Sequence, residues 1–324
     1  MSVSEIELRL IDGWQRGFPL ILRPYHVIAS RLGVTEDRLF GMLSGLLATG
    51  TLSRIGAVVR PNTAGASTLA ALSAPPERLD QVAAFVNAQP GVNHNYEREH
   101  DINLWFVVTG PDRSAVAATL DTIEAGTGLP VLDLPLQRAY FIDLGFPLRE
   151  GQAMDRVVPR GLPVRTADAE DRRLLAALEN GLPLETRPYR TLARRLGMEE
   201  GALLSRLADL IDDGIVSRFG LVVRHRKLGF TANAMVVWDI PEDRVDGVGE
   251  LFAAQPFVTL CYRRPRRRPR WPYNLFCMVH GRARQPVLDQ IETLNRLART
   301  GDRPQAVLFS LRCFKQRGAR LSAA

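Results

Sequence analysis

The sequence has few of the features that mark secreted, membrane-spanning or zinc-binding proteins. Its 324 residues include three cysteines, Cys261, Cys277 and Cys313, with no CxxC spacing. This argues against a disulfide framework and a structural zinc site and fits a reducing compartment. No uninterrupted apolar run approaches the ~20 residues of a membrane span, and Met1–Arg9 carries no signal-peptide pattern. We therefore expect an ordinary soluble, cytoplasmic protein of two to four compact units.

Lysine is nearly absent. Lys227 and Lys315 are the only lysines, so the formal net charge of +7 rests almost entirely on arginine. The arginine excess has two interpretations, genomic composition or the binding of a polyanion. A polyanion here means either nucleic acid or a small molecule with many carboxylates, and the sign of the charge does not choose between them.

What the sequence does contain is one unit repeated twice. The second copy follows the first by about 164 residues early in the unit and by slightly more later, which indicates small insertions. The repeated segments include Arg23-Pro24-Tyr25 with Arg187-Pro188-Tyr189, Val58-Val59-Arg60 with Val222-Val223-Arg224, and Asn103-Leu104 with Asn274-Leu275. Two copies predict an internal pseudo-dimer, in which a ligand near the two-fold axis touches both.

Each copy has two kinds of pattern. Three short helical segments followed by a β-rich segment predict a winged helix-turn-helix, and that segment in the first copy, Leu52–Val59, suggests a short hairpin or wing. A β-α-β-β-α-β order follows, typical of a ferredoxin-like domain, with Val131–Ile142 as its last strand in the first copy. The fold class is thus α+β. The predicted parts are winged helices at 1–62 and 168–226, ferredoxin-like domains at 63–145 and 227–324, and a linker at 146–167.

This combination resembles the leucine-responsive regulator (Lrp/AsnC) family of transcription factors. A recognition helix must present basic and polar side chains to phosphates and base edges. Here the corresponding helices begin with acids, Glu36 and Asp37 in the first copy and Glu199 and Glu200 in the second. These acids suit the helix dipole but repel phosphate, so no specific DNA binding is expected.

The segment after the first ferredoxin-like helix is unusually rich in polar aromatic and basic residues. On a strand at 92–97, His94 and Tyr96 share one face, and Arg98 and His100 continue the row into the turn. Since helices cover only one face of such a sheet, this row is available to line a cavity against the other copy. The alternative is a polar hairpin with incidental histidines. Of the remaining histidines, we expect structural roles for His26 and His225, and His280 is left open.

The matching segment of the second copy carries a run of arginines. Tyr262 matches Tyr96, but Leu260 stands where the first copy has His94. Next to a cavity the arginines would hold carboxylates, since guanidinium binds them bidentately. A solvated loop or a nucleic-acid patch are the alternatives. The predicted substrate-binding residues are Tyr96, Arg98, Arg60, Arg224, Tyr262, Arg263, Arg264, Arg266 and Trp271.

Two segments, His94–His100 with Asn103–Phe106 and Cys261–Gly281, resemble the siroheme decarboxylase family, relatives of the leucine-responsive regulators. The tandem arrangement is similar to the fused form of that family, whose halves are elsewhere separate chains. The resemblance implies a carboxy-lyase that removes the C12 and C18 acetate carboxylates of siroheme, giving 12,18-didecarboxysiroheme in the biosynthesis of haem d1 or an alternative route to haem. It implies siroheme as substrate, no cofactor or metal of its own, no membrane, and related subunits or a homodimer as partners.

The predicted chemistry rests on two histidines. Loss of CO₂ leaves a carbanion that the macrocycle delocalises, and His94 or His100 would return a proton near neutral pH. Either histidine could instead ligate the iron, and the sequence does not assign these roles. Leu260 predicts one working centre. A single-chain transcription regulator and a non-catalytic tetrapyrrole-binding protein remain as alternatives.

Overall fold

A computed structural model describes residues 3–143, 145, 148, 165–300 and 303–318. The chain forms two compact units, one from Met1–Ala64 and Gly145–Leu228, the other from Gly65–Leu144 and Gly229–Ala324. Each unit therefore combines like parts of both copies. Among the described residues, no helix is long and apolar enough to cross a membrane.

The first unit contains the helix-turn-helix segments of both copies. Its elements are α1 (Glu5–Trp14), α2 (Pro24–Leu32), α3 (Glu36–Ala48) and β1 (Leu52–Val59), then α6 (Ala169–Ala177), α7 (Pro188–Leu196), α8 (Glu200–Asp212) and β7 (Val216–Val223). Pro24 and Pro188 open α2 and α7, and a left-handed glycine, Gly33 or Gly197, ends each. Proline in the first turn and glycine after the last are the expected helix boundaries.

Reciprocal contacts join the two copies within this unit. The Tyr25 hydroxyl donates to the Pro183 carbonyl at 3.0 Å, and the Tyr189 hydroxyl donates to the Pro19 carbonyl at 2.8 Å. Strands β1 and β7 pair with each other in antiparallel register across the copies. The expected hairpin at Leu52–Val59 is therefore wrong. Each copy supplies only one strand, so its backbone hydrogen bonds are satisfied by the other copy.

The second unit holds both ferredoxin-like domains. The helices and strands of the first copy's domain are β2 (Ala66–Leu72), α4 (Leu79–Ala88), β3 (Val92–Arg98), β4 (Leu104–Gly110), α5 (Arg113–Thr127), β5 (Leu132–Pro135) and β6 (Arg138–Ile142). Those of the second are β8 (Ala232–Trp238), α9 (Val245–Ala253), β9 (Val258–Arg263), β10 (Leu275–Gly281), α10 (Arg284–Ala298) and β11 (Gln305–Gln316). The sheet orders are β5-β2-β4-β3 and β11-β8-β10-β9.

The last strand of each copy ties the two sheets together. The first half of β11 pairs with β8, and its second half pairs with β3 of the first copy. In the first copy the single strand expected at Val131–Ile142 is instead two. β5 stays in its own sheet, and β6 pairs with β9 of the second copy. The interruption lets the chain leave one sheet and join the other.

Each sheet has a helix-covered face and an inner face. Val82 and Val86 of α4 and Ile123 of α5 pack on Phe106 and Val108 of the first sheet. The inner faces of both sheets share a second core, whose buried members are Leu69, Ala71, Ile102, Trp105, Leu132, Leu134, Met235, Val237, Tyr262, Trp271, Phe276, Met278 and Leu308. The tandem α+β pseudo-dimer is thus confirmed. Most of the predicted linker, 149–164, lies outside the described residues.

Candidate active site

The polar row predicted on β3 lies on the inner face of the first sheet. Asn95 points the other way, where its amide donates to the Ala83 carbonyl and to Asn87 of α4. His94 and Tyr96 stack with ring centroids 6.2 Å apart, and the Arg98 guanidinium lies 5.8 Å from the Tyr96 ring centroid. The period of two along the strand therefore aligns an imidazole, a phenol and a guanidinium in sequence.

Arg98 carries this row into the second copy. It is buried, and its guanidinium donates to the Leu308 carbonyl at 3.2 Å and lies 3.9 Å from the Met278 sulfur. Arg264 is its counterpart in the second copy and donates to the Leu134 carbonyl, which occupies the position in β5 that Leu308 has in β11. Each copy thus inserts one guanidinium against the other copy's last strand.

Arg264 is a buried cation that has no ion pair within 4.0 Å among the described residues. Its guanidinium lies 4.6 Å from the Tyr262 ring centroid, its Nε is buried without a hydrogen-bond partner, and it forms no ion pair with any described residue. Burial lowers the pKa of Arg264, and the neighbouring Tyr262 and the more distant Asp133 carboxylate oppose this effect only in part. A desolvated guanidinium without a carboxylate is costly unless an anion binds to it.

The hydrogen bonds around His94 define its tautomer. The Thr109 hydroxyl donates to the Gly91 carbonyl and accepts from the Asn93 amide nitrogen. The Asn93 amide oxygen therefore faces His94 Nδ1, at 2.6 Å, and Nδ1 carries the proton. In the neutral ring Nε2 is the basic nitrogen, and an amide oxygen accepts from Nδ1 whether or not Nε2 is protonated.

His100 has the opposite tautomer. Its Nδ1 accepts the Ile102 backbone N–H at 3.0 Å, which places the proton of the neutral ring on Nε2. Burial lowers the pKa of His100, and Asp101 partly offsets that effect. His100 is therefore a neutral donor through Nε2, suited to hydrogen bonding a carboxylate and unsuited, in this tautomer, to binding iron through that nitrogen.

Trp271 joins His100 to the inner core. The fully buried indole contacts His100 at 5.6 Å, Trp105 at 4.9 Å and Tyr273 at 4.9 Å between ring centroids. Its N–H is buried and has no acceptor among the described residues. A buried donor left unbonded costs about 1–3 kcal/mol, so this N–H is a further group that a bound acceptor would satisfy.

Other predicted substrate-binding arginines are engaged within the protein. Arg263 pairs with Glu242, and Arg266 pairs with both Asp239 and Glu242. Each of these two guanidinium groups thus already has a carboxylate partner within the protein. Arg60 and Arg224 belong to the other compact unit, where Arg224 donates to the Gly50 carbonyl. The arginine run thus divides: Arg263, Arg266 and Arg268 pair with acids of their own copy, and the others donate to carbonyl groups of the first copy, namely Arg264 to Leu134, Arg267 to Asp133 and Arg270 to Pro130.

The structure also adds a histidine that the sequence left open. His280 on β10 lies directly opposite Asn233 on β8, with Nδ1 2.6 Å from the Asn233 amide oxygen. Burial, together with the smaller effect of the nearby Arg98 charge, lowers the pKa of His280 to about 4. Comparison of the two copies does not point to His280, because Thr109 stands at the equivalent position of the first copy. Within the described ranges, no group of three or more histidine, cysteine or acidic side chains could hold a metal.

Known proteins match this chain over almost its whole length. A family model described as an AsnC-like ligand binding domain covers residues 64–140 and 227–315, and one described as a siroheme decarboxylase NirDL-like HTH domain covers 7–52 and 171–216. A siroheme decarboxylase NirDL subunit of Paracoccus denitrificans is 47% identical over 99% of both chains. The separate NirD subunit of Stutzerimonas stutzeri is 54% identical over 46% of this chain and 97% of its own.

A solved structure agrees with the sequence matches. The crystal structure of siroheme decarboxylase NirDL in co-complex with an iron-uroporphyrin III analogue aligns with a TM-score of 0.66 at 29% identity. It covers 98% of this chain and 93% of that chain. Full-length identity, both repeated domain types and the fold together show that this chain belongs to the siroheme decarboxylase NirDL family.

Proposed function

We propose that this chain removes the carboxylates of the C12 and C18 acetate side chains of siroheme as CO₂, giving 12,18-didecarboxysiroheme. The observation that carries the proposal is the 47% identity over 99% of the chain to a NirDL subunit, in a protein whose apolar inner face contains the polar row of β3. This reaction makes the chain a carbon–carbon lyase. Both halves lie in one polypeptide, so we infer that no separate NirD or NirL chain is required.

Binding of the carboxylates falls to groups that the protein leaves uncompensated. Among the described residues, Arg264 has no ion pair, with Asp133 acting on it only from a distance, and the Trp271 N–H has no acceptor. A guanidinium and a carboxylate form charge-assisted hydrogen bonds roughly twice as strong as neutral ones. The neutral His100 adds one donor through Nε2. These groups would hold and orient the macrocycle by its acid side chains.

The chemical step needs a proton at the carbon that loses CO₂. The C–C bond pair of the leaving carboxylate passes into the conjugated macrocycle, and the carbanion carbon then takes a proton. His94, protonated on Nε2, supplies it, and Asn93 keeps its hydrogen bond to Nδ1 before and after the transfer. Because the substrate is its own electron acceptor, we propose that the chain needs no additional cofactor.

Incubation of the purified chain with siroheme under anaerobic conditions tests the proposal. Loss of two CO₂ masses in sequence, through a monodecarboxylated intermediate, is the expected result. Siroheme that stays unchanged and co-elutes with the protein would instead indicate a tetrapyrrole carrier. A sequence-selective complex with DNA, altered by siroheme, would indicate a regulator.

A further inference from the structure

His280 faces the same inner core as the β3 row but comes from the second copy. Alternate residues of β10 share a face, and Phe276 and Met278 on that face belong to the core between the two sheets. Arg98, the last residue of the β3 row, contacts the Met278 sulfur and acts electrostatically on the His280 ring. The row thus continues from His94, Tyr96 and Arg98 to His280.

Asn233 gives His280 one tautomer. The Asn233 amide nitrogen donates to the Phe230 carbonyl at 2.8 Å, which leaves its amide oxygen facing His280 Nδ1. The proton of the neutral ring is therefore on Nδ1, and Nε2 has the lone pair. Since the Phe230 carbonyl can only accept, the amide has no equally good flipped orientation.

The surroundings of His280 suit this side chain to binding a metal ion through its neutral ring more than to donating a proton. Both His94 and His280 bond an asparagine oxygen through Nδ1, so this partner does not distinguish them. Arg98, which lies against Met278 two residues before His280, places a positive charge near the His280 ring and disfavours an imidazolium there. His94 differs because its ring stacks on Tyr96, with the arginine one position further along the row.

We propose that His280 coordinates the iron of the bound tetrapyrrole through Nε2, with Asn233 as its orienting residue; this rests on the proposed function. Metal-binding histidines usually donate their other ring N–H to a fixed acceptor, which sets the tautomer and the ring orientation. Imidazole is also a regular axial ligand of iron in tetrapyrroles.

The first copy provides the matched variant. In its sheet the positions of Asn233 and His280 are taken by Ser67 and Thr109, which lie opposite each other in the same register. The fold therefore accepts a hydroxyl pair here, and His280→Thr and Asn233→Ser copy residues that the protein already uses.

The test is a titration of the full chain with Fe(III) uroporphyrin III and, separately, with metal-free uroporphyrin III. Absorption and electron paramagnetic resonance spectra report imidazole ligation without requiring turnover. In His280→Thr we expect loss of the imidazole-ligated spectrum and a fall in iron-porphyrin affinity of about tenfold or more. Affinity for the metal-free porphyrin should stay at the wild-type value, and added imidazole should restore the spectrum. His26→Gln, at an exposed histidine of α2, is the control.

Identical iron-porphyrin spectra in wild type and His280→Thr would overturn the proposal, as would an equal loss of affinity for both porphyrins. If His280→Thr does not fold, Asn233→Ser is measured in its place. This variant keeps the imidazole but removes its orienting partner, so the spectrum of the imidazole-ligated iron porphyrin should shift, and an unchanged spectrum would contradict the proposal. Turnover is a separate readout. A wild-type chain that shows the spectral change but leaves siroheme intact would refute the proposed function and support ligation.

Discussion

Replacing His94 by leucine tests the proton-transfer role, because the second copy already has Leu260 at the equivalent position, packed against the inner core. General acid catalysis is typically worth ~10²–10⁴-fold, so we expect kcat to fall by that factor, or about 2.7–5.5 kcal/mol of activation free energy. Both decarboxylations should slow together, since one histidine serves both acetates.

The structural cost of His94→Leu should be smaller. The variant removes the 2.6 Å bond to the Asn93 amide oxygen, and Asn93 is buried. An unsatisfied buried acceptor costs about 1–3 kcal/mol, a destabilisation that thermal unfolding would detect without loss of the folded state at assay temperature.

The assay is anaerobic turnover of siroheme followed by mass spectrometry, with tetrapyrrole affinity measured by absorption titration. The reciprocal variant Leu260→His is the control. It lacks an asparagine neighbour, because Thr259 takes the place of Asn93, and should turn over at the wild-type rate per folded molecule. A His94→Leu protein with wild-type kcat, or one that loses only one of the two decarboxylations, would refute the single-centre reasoning.

Four further outcomes follow from the same structure. Arg264→Met should weaken siroheme binding by about 10–150-fold, the ~1.5–3 kcal/mol of a charged hydrogen bond, and unchanged affinity would exclude it as a carboxylate anchor. The free energy of unfolding of the unliganded chain should fall by up to about 3 kcal/mol as pH falls from about 6.5 to 4. The reason is that His280 binds a proton in the unfolded chain over this range but not in the folded chain, where its pKa is about 4. In His280→Thr, urea unfolding should show a smaller dependence on pH over the same range. Iodoacetamide should label the exposed Cys313 in the native chain and spare Cys277, where burial raises the thiol pKa, until the protein unfolds. In mobility-shift assays at ~150 mM salt we expect no sequence-selective complex, because Glu36 and Glu200 at the starts of α3 and α8 pair with Arg23 and Arg187 and so take up guanidinium groups that phosphate would need. A nanomolar site would contradict this.

The repeat, the two domain types and the inward row of β3 were predictable from sequence because each depends on local rules. Proline and glycine mark the ends of α2 and α7, and a strand's period of two places His94 and Tyr96 on one face. The recognition of Leu260 as the odd residue in the second copy needed only the internal alignment.

The partners of each group needed the tertiary structure. The sequence suggested that the arginine run binds carboxylates as one group. In the structure Arg263 and Arg266 pair with acids of the same copy, whereas Arg264 donates to the other copy's last strand and has no ion pair among the described residues. β1 and β7 look like two separate wings until the copies pair. His280 could not be identified from the repeat, because Thr109 is the equivalent residue of the first copy. The local sequence pattern determined which face of a strand or helix each side chain lies on. Its contacts were decided only by the packing of the two copies about the pseudo-two-fold axis.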